Sequence, residues 1–329
     1  MILSVSRRTD IPQYYSEWFL GRIRAGFLCV RNSMNPRQVS RIALSPQVVD
    51  CIVFWTKNPK PMMGRLEGLK DYDYYFQFTL TGYGRDVEPG LPSKEDVLIP
   101  AFRELAEQIG RDRVIWRYDP ILFNETYTPE WHVSTFRKMS MALAGCTRRC
   151  VISFVDSYAR NRKGMRAIGA RGVEELTGQA EESGKNVQMG AGGSIGVFAS
   201  QLKAAAREQG MELVTCAEQM DLTEWGIPHG RCIDPELIER ITGFRIEAPK
   251  DPGQRRECGC IQSIDVGRYD TCPAGCVYCY AGGGSLAARK NFAAHRGDSP
   301  LLCSELTEAD VVRERPMRSQ KEYQLSLFP

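Results

Sequence analysis

The sequence is poor in histidine, in long apolar runs and in excess charge, and each shortage excludes a class of protein. Its three histidines, at positions 132, 229 and 295, are too scattered over 329 residues to indicate a histidine metal site. No uninterrupted apolar run approaches the roughly 18 residues of a membrane helix, so we expect no membrane span. The net charge of +3 is nearly balanced and does not by itself indicate a nucleic-acid-binding protein.

We also expect no secretion signal. In the N-terminal segment MILSVSRRTDIP the charges follow the short apolar run, whereas those of a signal peptide precede it. Twelve cysteines without such a signal indicate metal ligation in a reducing cytosol and not a disulfide scaffold. We therefore expect a cytoplasmic protein, and its 43% hydrophobic and 25% charged residues are typical of a globular chain.

Apolar strands alternate with helical patterns along most of the chain. The strands show little polar alternation, which predicts burial on both faces and hence a parallel sheet. Six or more such units, with no G-x-G-x-x-G after the first strand, favour an α/β fold with a parallel (β/α) barrel or partial barrel, TIM-like, over a dinucleotide-binding fold. The predicted strands cover residues 2–6, 51–55, 74–80, 114–116, 150–155, 212–215 and 263–266, and the predicted helices cover residues 14–25, 97–109, 129–143, 173–182, 197–209, 234–241 and 286–294.

Composition divides the chain into three parts. The barrel pattern occupies residues 1–249. Residues 250–303 form a C-terminal cysteine-rich metal-binding region that we expect to pack on the barrel. Residues 304–329 have few core-forming residues before a terminal apolar pentapeptide, which predicts a flexible tail.

Polar and charged residues recur just after the predicted strands, where a parallel barrel builds its active site. Some of them would serve only as helix N-caps or as rim salt bridges. The candidate catalytic residues are Arg7, Asp10, Arg117 and Asp119, and the candidate cofactor-binding residues are Arg8, Lys57, Asn58 and Tyr278.

The stretch CGCIQSIDVGRYDTCPAGCVYCYA carries five cysteines in 24 residues, from Cys258 to Ala281. Cys272, Cys276 and Cys279 have the spacing C-x3-C-x2-C, with a proline and a glycine that bend the backbone between them. Thiolates this close suit a metal ion or an iron–sulfur cluster, because one loop can wrap several ligands around one centre. Zinc and buried free thiols are the alternatives.

The remaining cysteines of the last third are enough for a second site. Cys258 and Cys260 form a C-x-C pair, and Cys216 and Cys232 precede it. Four thiolates can hold either a second [4Fe–4S] cluster or a zinc ion.

Two resemblances narrow the function. The loop CPAGCVYCYA resembles the cluster loop of radical SAM enzymes of the spore photoproduct lyase and DNA repair photolyase type, in which three thiolates hold a [4Fe–4S] cluster and the fourth iron binds S-adenosylmethionine. The motifs SRRTDIP, FWTKNP and RYDP, together with the cysteine stretch, resemble the bacterial family numbered 1848 among the domains of unknown function. That resemblance implies a cytosolic iron–sulfur protein without an assigned reaction. The chain departs from radical SAM enzymes in carrying its triad near the end and in having no clear Gly-Gly-Glu after it.

The leading hypothesis is therefore a radical SAM-like enzyme that takes electrons from a donor protein and acts on a substrate in the barrel mouth. The hypothesis takes damaged or modified nucleic acid as the substrate class. Four cationic side chains would suit either its phosphates or the carboxylate of S-adenosylmethionine: Arg7, Arg8, Lys57 and Arg117. The rival hypothesis is a non-enzymatic DNA-maintenance protein whose metal centres are structural or redox-sensing.

The terminal peptide QLSLF resembles the segment by which bacterial DNA polymerases and repair proteins bind the sliding clamp. The resemblance implies contacts through Gln324, Leu325, Leu327 and Phe328. The alternative is that this segment packs on the protein's own core.

Overall fold

A computed structural model gives the structure of the protein and describes residues 1–171, 195–282 and 284–322. Its centre is a seven-stranded sheet in which every neighbouring pair is parallel. The spatial order of the strands is β10-β1-β4-β5-β6-β7-β8. These strands are β1 Ile2–Val5, β4 Cys51–Thr56, β5 Tyr74–Thr79, β6 Val114–Ile121, β7 Arg149–Phe154, β8 Glu212–Thr215 and β10 Ser263–Asp265.

The sheet is buried on both faces, which explains the unalternating apolar strands. Leu3, Ile52 and Phe76 face a large core that the flanking helices complete. Their sequence neighbours Ile2, Val53 and Tyr75 face a second apolar cluster on the other side. The predicted α/β fold and parallel sheet are therefore confirmed.

A closed barrel is not seen in the described residues, where β10 and β8 are the two edges of the sheet. The second face is covered in another way. The apolar cluster on that face includes Cys232, Ile238, Cys258 and Cys260, so the cysteine-bearing segments lie where a closed barrel would place opposing strands.

The helices agree with the sequence patterns at most positions. They are α1 Ile11–Tyr14, α2 Ser16–Ala25, α3 Lys60–Met63, α4 Ile99–Ile109, α5 Pro129–Ala142, α6 Arg162–Ala167, α7 Ile195–Glu208, α8 Pro235–Thr242 and α9 Leu286–Ala293. The predicted single helix over residues 14–25 is instead two helices, because Tyr15 leaves the helical backbone conformation at φ −137°. The predicted helix over residues 173–182 lies outside the described residues. None of the helices in the described part of the chain has the length and apolar composition needed to cross a bilayer.

Part of the predicted flexible tail is strand. β11 (Val311–Glu314) pairs in parallel with β3 (Gln38–Ala43), which is antiparallel to β2 (Phe27–Arg31). A shorter antiparallel pair joins β12 (Lys321–Glu322) to β9 (Arg245–Ile246). Main-chain hydrogen bonds and exposed ion pairs hold β11 in place, and one such pair joins Arg41 to Glu314 at 2.6 Å. All four residues of β11 are exposed, so the sequence has no buried apolar pattern there that would predict a strand. The pentapeptide at 324–328 lies outside the described residues.

Candidate functional site

A cavity of about 570 Å³ opens at the carboxyl ends of the central strands. Because all the strands are parallel, the segments that follow them meet at this one edge of the sheet. Every predicted site residue except Asn58 lines the cavity: Arg7, Arg8, Asp10, Lys57, Arg117, Asp119, Cys216, Cys232, Cys258, Cys260, Cys272, Cys276, Tyr278 and Cys279.

Asp265 joins the first and last strands of the sheet beneath the cavity. β10 lies beside β1 with Ser263 opposite Ile2. The Asp265 carboxylate accepts hydrogen bonds from the Ser4 and Ser6 hydroxyls, both at 2.7 Å, and from the Arg7 amide at 2.9 Å. Asp265 therefore fixes the segment after β1 relative to the loop after β10, which carries the cysteine triad.

The triad loop is held against the loop that follows β5. The Gly90 amide donates to Ala274 O at 3.0 Å, and the Val277 amide donates to Val87 O at 2.9 Å. A Cβ on Gly90 would lie 2.4 Å from the Ala274 carbonyl oxygen, so this approach requires glycine. Gly275 adopts φ +76°, which turns the chain between the first two cysteines.

The three triad cysteines all line the cavity. Burial raises the pKa of the Cys272 thiol to about 12, with the Asp10 carboxylate nearby adding to the rise. Burial also raises the pKa of Cys276, although Lys57 opposes that rise. Thiols in such surroundings stay protonated in the apoprotein and lose their protons on binding a metal.

The other four cysteines come from two chain segments that cross the second face of the sheet. Cys216 directly follows β8, and the chain then returns beside that strand, where the Gly230 amide donates to Thr215 O at 2.8 Å. Cys232 is fixed through its carbonyl oxygen, which accepts from the Tyr75 hydroxyl at 2.6 Å and from Gln77 Nε2 at 2.9 Å. The Ile233 amide in turn donates to Cys260 Sγ at 3.3 Å.

The four thiols are linked by pairwise contacts, from Cys216 to Cys232, from Cys232 to Cys260 and from Cys260 to Cys258. Cys216 Sγ and Cys232 Sγ are 2.9 Å apart. Hydrogen bonds from Cys232 and Cys258 lower the pKa of Cys260 well below its usual range, and Arg7 lowers it further. These contacts favour the thiolate form of Cys260.

Two arginines face the four thiols. Arg117 Nη1 donates to Cys232 Sγ at 2.7 Å. Arg7 lies over the Trp55 ring at 5.1 Å and 3.8 Å from Asp251, and its buried Nη2 has no hydrogen-bond partner among the described residues. A centre held by four thiolates carries net negative charge, which buried cations offset. The donor set, the sulfur contact and the two arginines therefore fit a metal centre here.

The described residues contain no group of three or more His, Cys, Asp or Glu side chains already arranged as a metal site. The fit for the four-cysteine group therefore rests on the sulfur contact and on the chemistry of its surroundings. For the triad it rests on three thiols that line one cavity from a single loop.

The candidate catalytic residues Arg117 and Asp119 are paired with each other. Arg117 Nε donates to Asp119 Oδ2 at 2.9 Å, and the other Asp119 oxygen accepts from the Ser153 hydroxyl. The guanidinium thus bridges the Asp119 carboxylate and the Cys232 sulfur. This arrangement gives Arg117 and Asp119 a holding role beside the four thiols.

Asp10 also makes contacts that fix the chain. One carboxylate oxygen caps α1 by accepting a hydrogen bond from the Gln13 amide, and the other accepts from the Lys57 amide at 2.7 Å. Burial outweighs these bonds and raises the pKa of Asp10 to about 6. The side chain ties the segment after β1 to the segment after β4.

Lys57 belongs to a buried ionic network that the sequence did not reveal. Its Nζ donates to Glu88 Oε1 at 2.8 Å and to the Tyr278 hydroxyl at 2.6 Å, and Lys94 bonds the second Glu88 oxygen. The Glu88 side chain is fully buried, and burial alone would raise its pKa, but Lys57 and Lys94 outweigh burial and hold the pKa at about 2. The network anchors the aromatic residue between Cys276 and Cys279.

Asn58 is not among the residues that line the cavity. Its side-chain oxygen accepts the Lys60 amide, so it stabilises the turn that begins α3. Such Asx turns are common where Asn follows a strand. Arg8 does line the cavity, with its guanidinium carbon 5.0 Å from the centre of the Tyr269 ring.

Sequence reasoning missed Glu218, which lines the cavity near Asp119 and Asp156. Burial raises the pKa of Glu218 to about 8, and its Oε1 accepts the Phe154 amide at 2.8 Å. The signal that could have found it is its position two residues after Cys216, at the end of β8. Glu88, Lys94 and Asp265 gave no comparable signal, because the network of Glu88 depends on Lys57 and Tyr278 and the contacts of Asp265 depend on Ser4 and Ser6, all distant in sequence.

Comparison with known proteins places the chain in one family. No match was found among curated proteins or among solved structures. Residues 2–281 match a family described as a domain of unknown function (DUF1848). The match spans all the cysteines that line the cavity and stops before the C-terminal strands β11 and β12. Since the match covers most of its length, the chain belongs to the DUF1848 family.

Proposed function

We propose that this protein is an iron–sulfur, radical SAM-like enzyme that acts on damaged or modified nucleic acid. One observation carries the proposal: seven cysteines converge with the charged strand-end side chains on a single cavity. The open parallel sheet is interpreted as a partial barrel, with its substrate entering at the carboxyl ends of the strands. The absence of a closed barrel in the described residues does not conflict with this use of the cavity.

Cys272, Cys276 and Cys279 are the proposed ligands of a [4Fe–4S] cluster, because three thiolates on one loop leave a coordination position open. S-adenosylmethionine is the proposed ligand of that position, and the bound pair would supply hydrogen-abstraction chemistry on receiving an electron from a donor protein. The protein's own contribution is to fix the loop and limit the access of water. The Gly90–Ala274 contact and the Glu88 network support that role.

Of the four cations predicted to meet anionic ligands, Arg8 is the one that we propose for that role. Arg8 has its guanidinium at the cavity surface, where it could bind the carboxylate of S-adenosylmethionine or a phosphate. Arg7 and Arg117 face the thiols and are proposed to offset the charge of the second centre. Lys57 is engaged by Glu88, so we propose that it positions Tyr278 and does not bind the substrate.

Cys216, Cys232, Cys258 and Cys260 are the proposed ligands of the second centre, either a [4Fe–4S] cluster or zinc. A structural metal stabilises the fold on the order of 10 kcal/mol, so Cys258→Ala should lose one centre's metal and lower the melting temperature. Unchanged metal content in that variant would leave the four as ordinary thiols.

Cleavage of S-adenosylmethionine separates the enzyme from the rival, a DNA-maintenance protein with structural or redox-sensing centres. Protein purified without oxygen is reduced with dithionite, given S-adenosylmethionine, and assayed for 5′-deoxyadenosine by chromatography. We expect the wild type and the control Cys146→Ala to form the product, because Cys146 does not line the cavity. The triple variant Cys272→Ala, Cys276→Ala, Cys279→Ala should form none. A wild-type protein that carries the cluster and forms no product would favour the rival.

A further inference from the structure

Three tyrosines and three arginines surround the outer part of the cavity. We call the six residues the tyrosine–arginine rim: Arg8, Tyr158, Arg160, Arg255, Tyr269 and Tyr280. All of them except Arg160 line the cavity, and Arg160 contacts the ring of Tyr269. Arg8 is also proposed above for the carboxylate of S-adenosylmethionine or a phosphate, and the other five are assigned neither to the metal centres nor to the buried ionic network.

The rim residues form two groups of contacting rings and guanidinium groups. In the first, the guanidinium carbons of Arg8 and Arg160 lie 5.0 and 5.3 Å from the centre of the Tyr269 ring. In the second, the guanidinium of Arg255 lies 5.5 Å from the Tyr158 ring, whose centre is 5.7 Å from that of Tyr280. Such distances are those of cation–π and aromatic contacts.

Both groups are held in place and still face solvent in the described structure. The Tyr280 hydroxyl donates to Arg7 O at 2.7 Å, and Arg160 pairs with Asp270 at 2.8 Å. Tyr280 nonetheless has 41% of its surface exposed, and the side chains of Arg160 and Arg255 have 49% and 43% exposed. Side chains that are fixed in position but exposed bind a ligand at low cost in conformational entropy.

Flat rings beside guanidinium groups match the chemistry of an unstacked nucleic-acid strand. Bases stack on tyrosine rings and on arginine planes, and phosphates accept from arginine. Two groups of rings beside the same cavity suit two successive bases, whereas a single nucleoside would need only one group. The carboxylates of Asp156 and Asp270 partner two of the arginines, so stacking should contribute more than charge.

We propose that the tyrosine–arginine rim binds single-stranded nucleic acid, with bases on the rings and phosphates at the guanidinium groups. The assignment deepens the proposed function, on which it rests for the substrate class alone. It places the bound strand directly over the cavity that the cysteines line.

The test is fluorescence anisotropy of a labelled single-stranded oligothymidine with the full-length protein. Loss of one stacking ring should weaken binding about tenfold, so Tyr269→Ala and Tyr280→Ala should each do so. Tyr269→Phe keeps the ring and should bind as the wild type does. Arg160→Ala should weaken binding, while its matched control Arg296→Ala, also an exposed arginine paired with an aspartate, should not.

Several outcomes would overturn the inference. They are no binding at tens of micromolar protein in low salt, equal binding by all variants, equal affinity for duplex, or full displacement of the oligomer by equimolar adenosine. Melting curves and iron content are measured for each variant. Wild-type protein that is purified without oxygen, holds no iron and still binds the strand would count against the proposed iron–sulfur enzyme and leave the rim assignment standing. Protein that cleaves S-adenosylmethionine and binds no strand would do the reverse.

Discussion

At the scale of the residue, the charged side chains of the cavity are mostly paired with one another. Arg117 holds Asp119 and contacts Cys232, and Lys57 holds Glu88. The sequence predicted that Arg117, Asp119 and Lys57 would line the cavity, because each lies at the end of a buried parallel strand. It could not predict the pairing, because Glu88 and Lys94 look like ordinary surface charges until the loop after β5 buries them.

His132 is a buried residue whose protonation should affect stability. Its Nε2 is 2.8 Å from the Leu122 carbonyl oxygen, which can only accept, so Nε2 carries the proton and Nδ1 accepts from the Tyr118 hydroxyl at 2.9 Å. Burial lowers the pKa of His132 to about 4, from an ordinary value of 6.5. The folded protein therefore resists the proton that the unfolded chain takes up below about pH 6.5.

We expect the free energy of unfolding to fall by about 2 kcal/mol between pH 7 and pH 5 from this residue. The sign follows because the unfolded state binds more protons in that range, so stability rises with pH from about 4 to about 6.5. Urea unfolding at several pH values measures the slope. The Gln side chain of His132→Gln cannot titrate, so the free energy of unfolding of this variant should fall by about 2 kcal/mol less than that of the wild type between pH 7 and pH 5. Equal slopes in the two proteins would contradict the assignment.

At the scale of the element, the sequence predicted the central strands well because burial on both faces leaves a continuous apolar run. It missed β2 and β3, which form a small outlying sheet, and it missed β11 because all four of its residues are exposed. It also predicted one helix where Tyr15 divides two. Local polarity carries no information about strands that are held mainly by backbone hydrogen bonds to a distant segment.

The contact between Gly90 and Ala274 should decide where the triad loop lies. A methyl group at Gly90 would meet the Ala274 backbone at 2.4 Å, so Gly90→Ala must displace one of the two loops. We expect it to lower the iron content per chain and to cost about 1–3 kcal/mol of stability. The measurements are iron analysis and thermal unfolding of anaerobically purified protein.

Gly64→Ala is the matched control, because its added methyl would meet nothing within 4 Å and its φ of −68° suits alanine. The control should keep the iron content of the wild type. Normal iron content in Gly90→Ala would show that the loop contact does not position the cysteines.

At the scale of the whole molecule, two segments from the last third of the chain pack against different parts of the central sheet. The triad loop follows β10, and the four-cysteine group covers the second face. Cysteine spacing predicted the triad, because its ligands lie on one loop, and counting the remaining cysteines of the last third predicted the four-cysteine group. Neither could predict that the two groups share one cavity, which depends on β10 pairing with β1 across more than 250 residues of sequence.

The C-terminal peptide remains a proposal for recruitment to the sliding clamp, resting on the resemblance of QLSLF to clamp-binding segments. Few residues carry the energy of such a contact, so Leu327→Ala with Phe328→Ala should remove nearly all binding in calorimetry. Residues 318–322 pack near the body of the protein, where the Ser319 hydroxyl bonds Asp50, but the melting temperature should not change in the variant. A lower melting temperature would instead indicate that the segment packs on the protein's own core.

The central claim is that Cys272, Cys276 and Cys279 hold an oxygen-sensitive [4Fe–4S] cluster beside a separate four-cysteine centre. The most direct test is quantification of iron, sulfide and zinc in anaerobically purified wild type and in the triple variant with all three cysteines changed to Ala. The account predicts that the variant loses one cluster, with its visible absorbance and electron paramagnetic resonance signal, and retains the metal of the second centre. A wild-type protein rich in zinc and free of iron would contradict it.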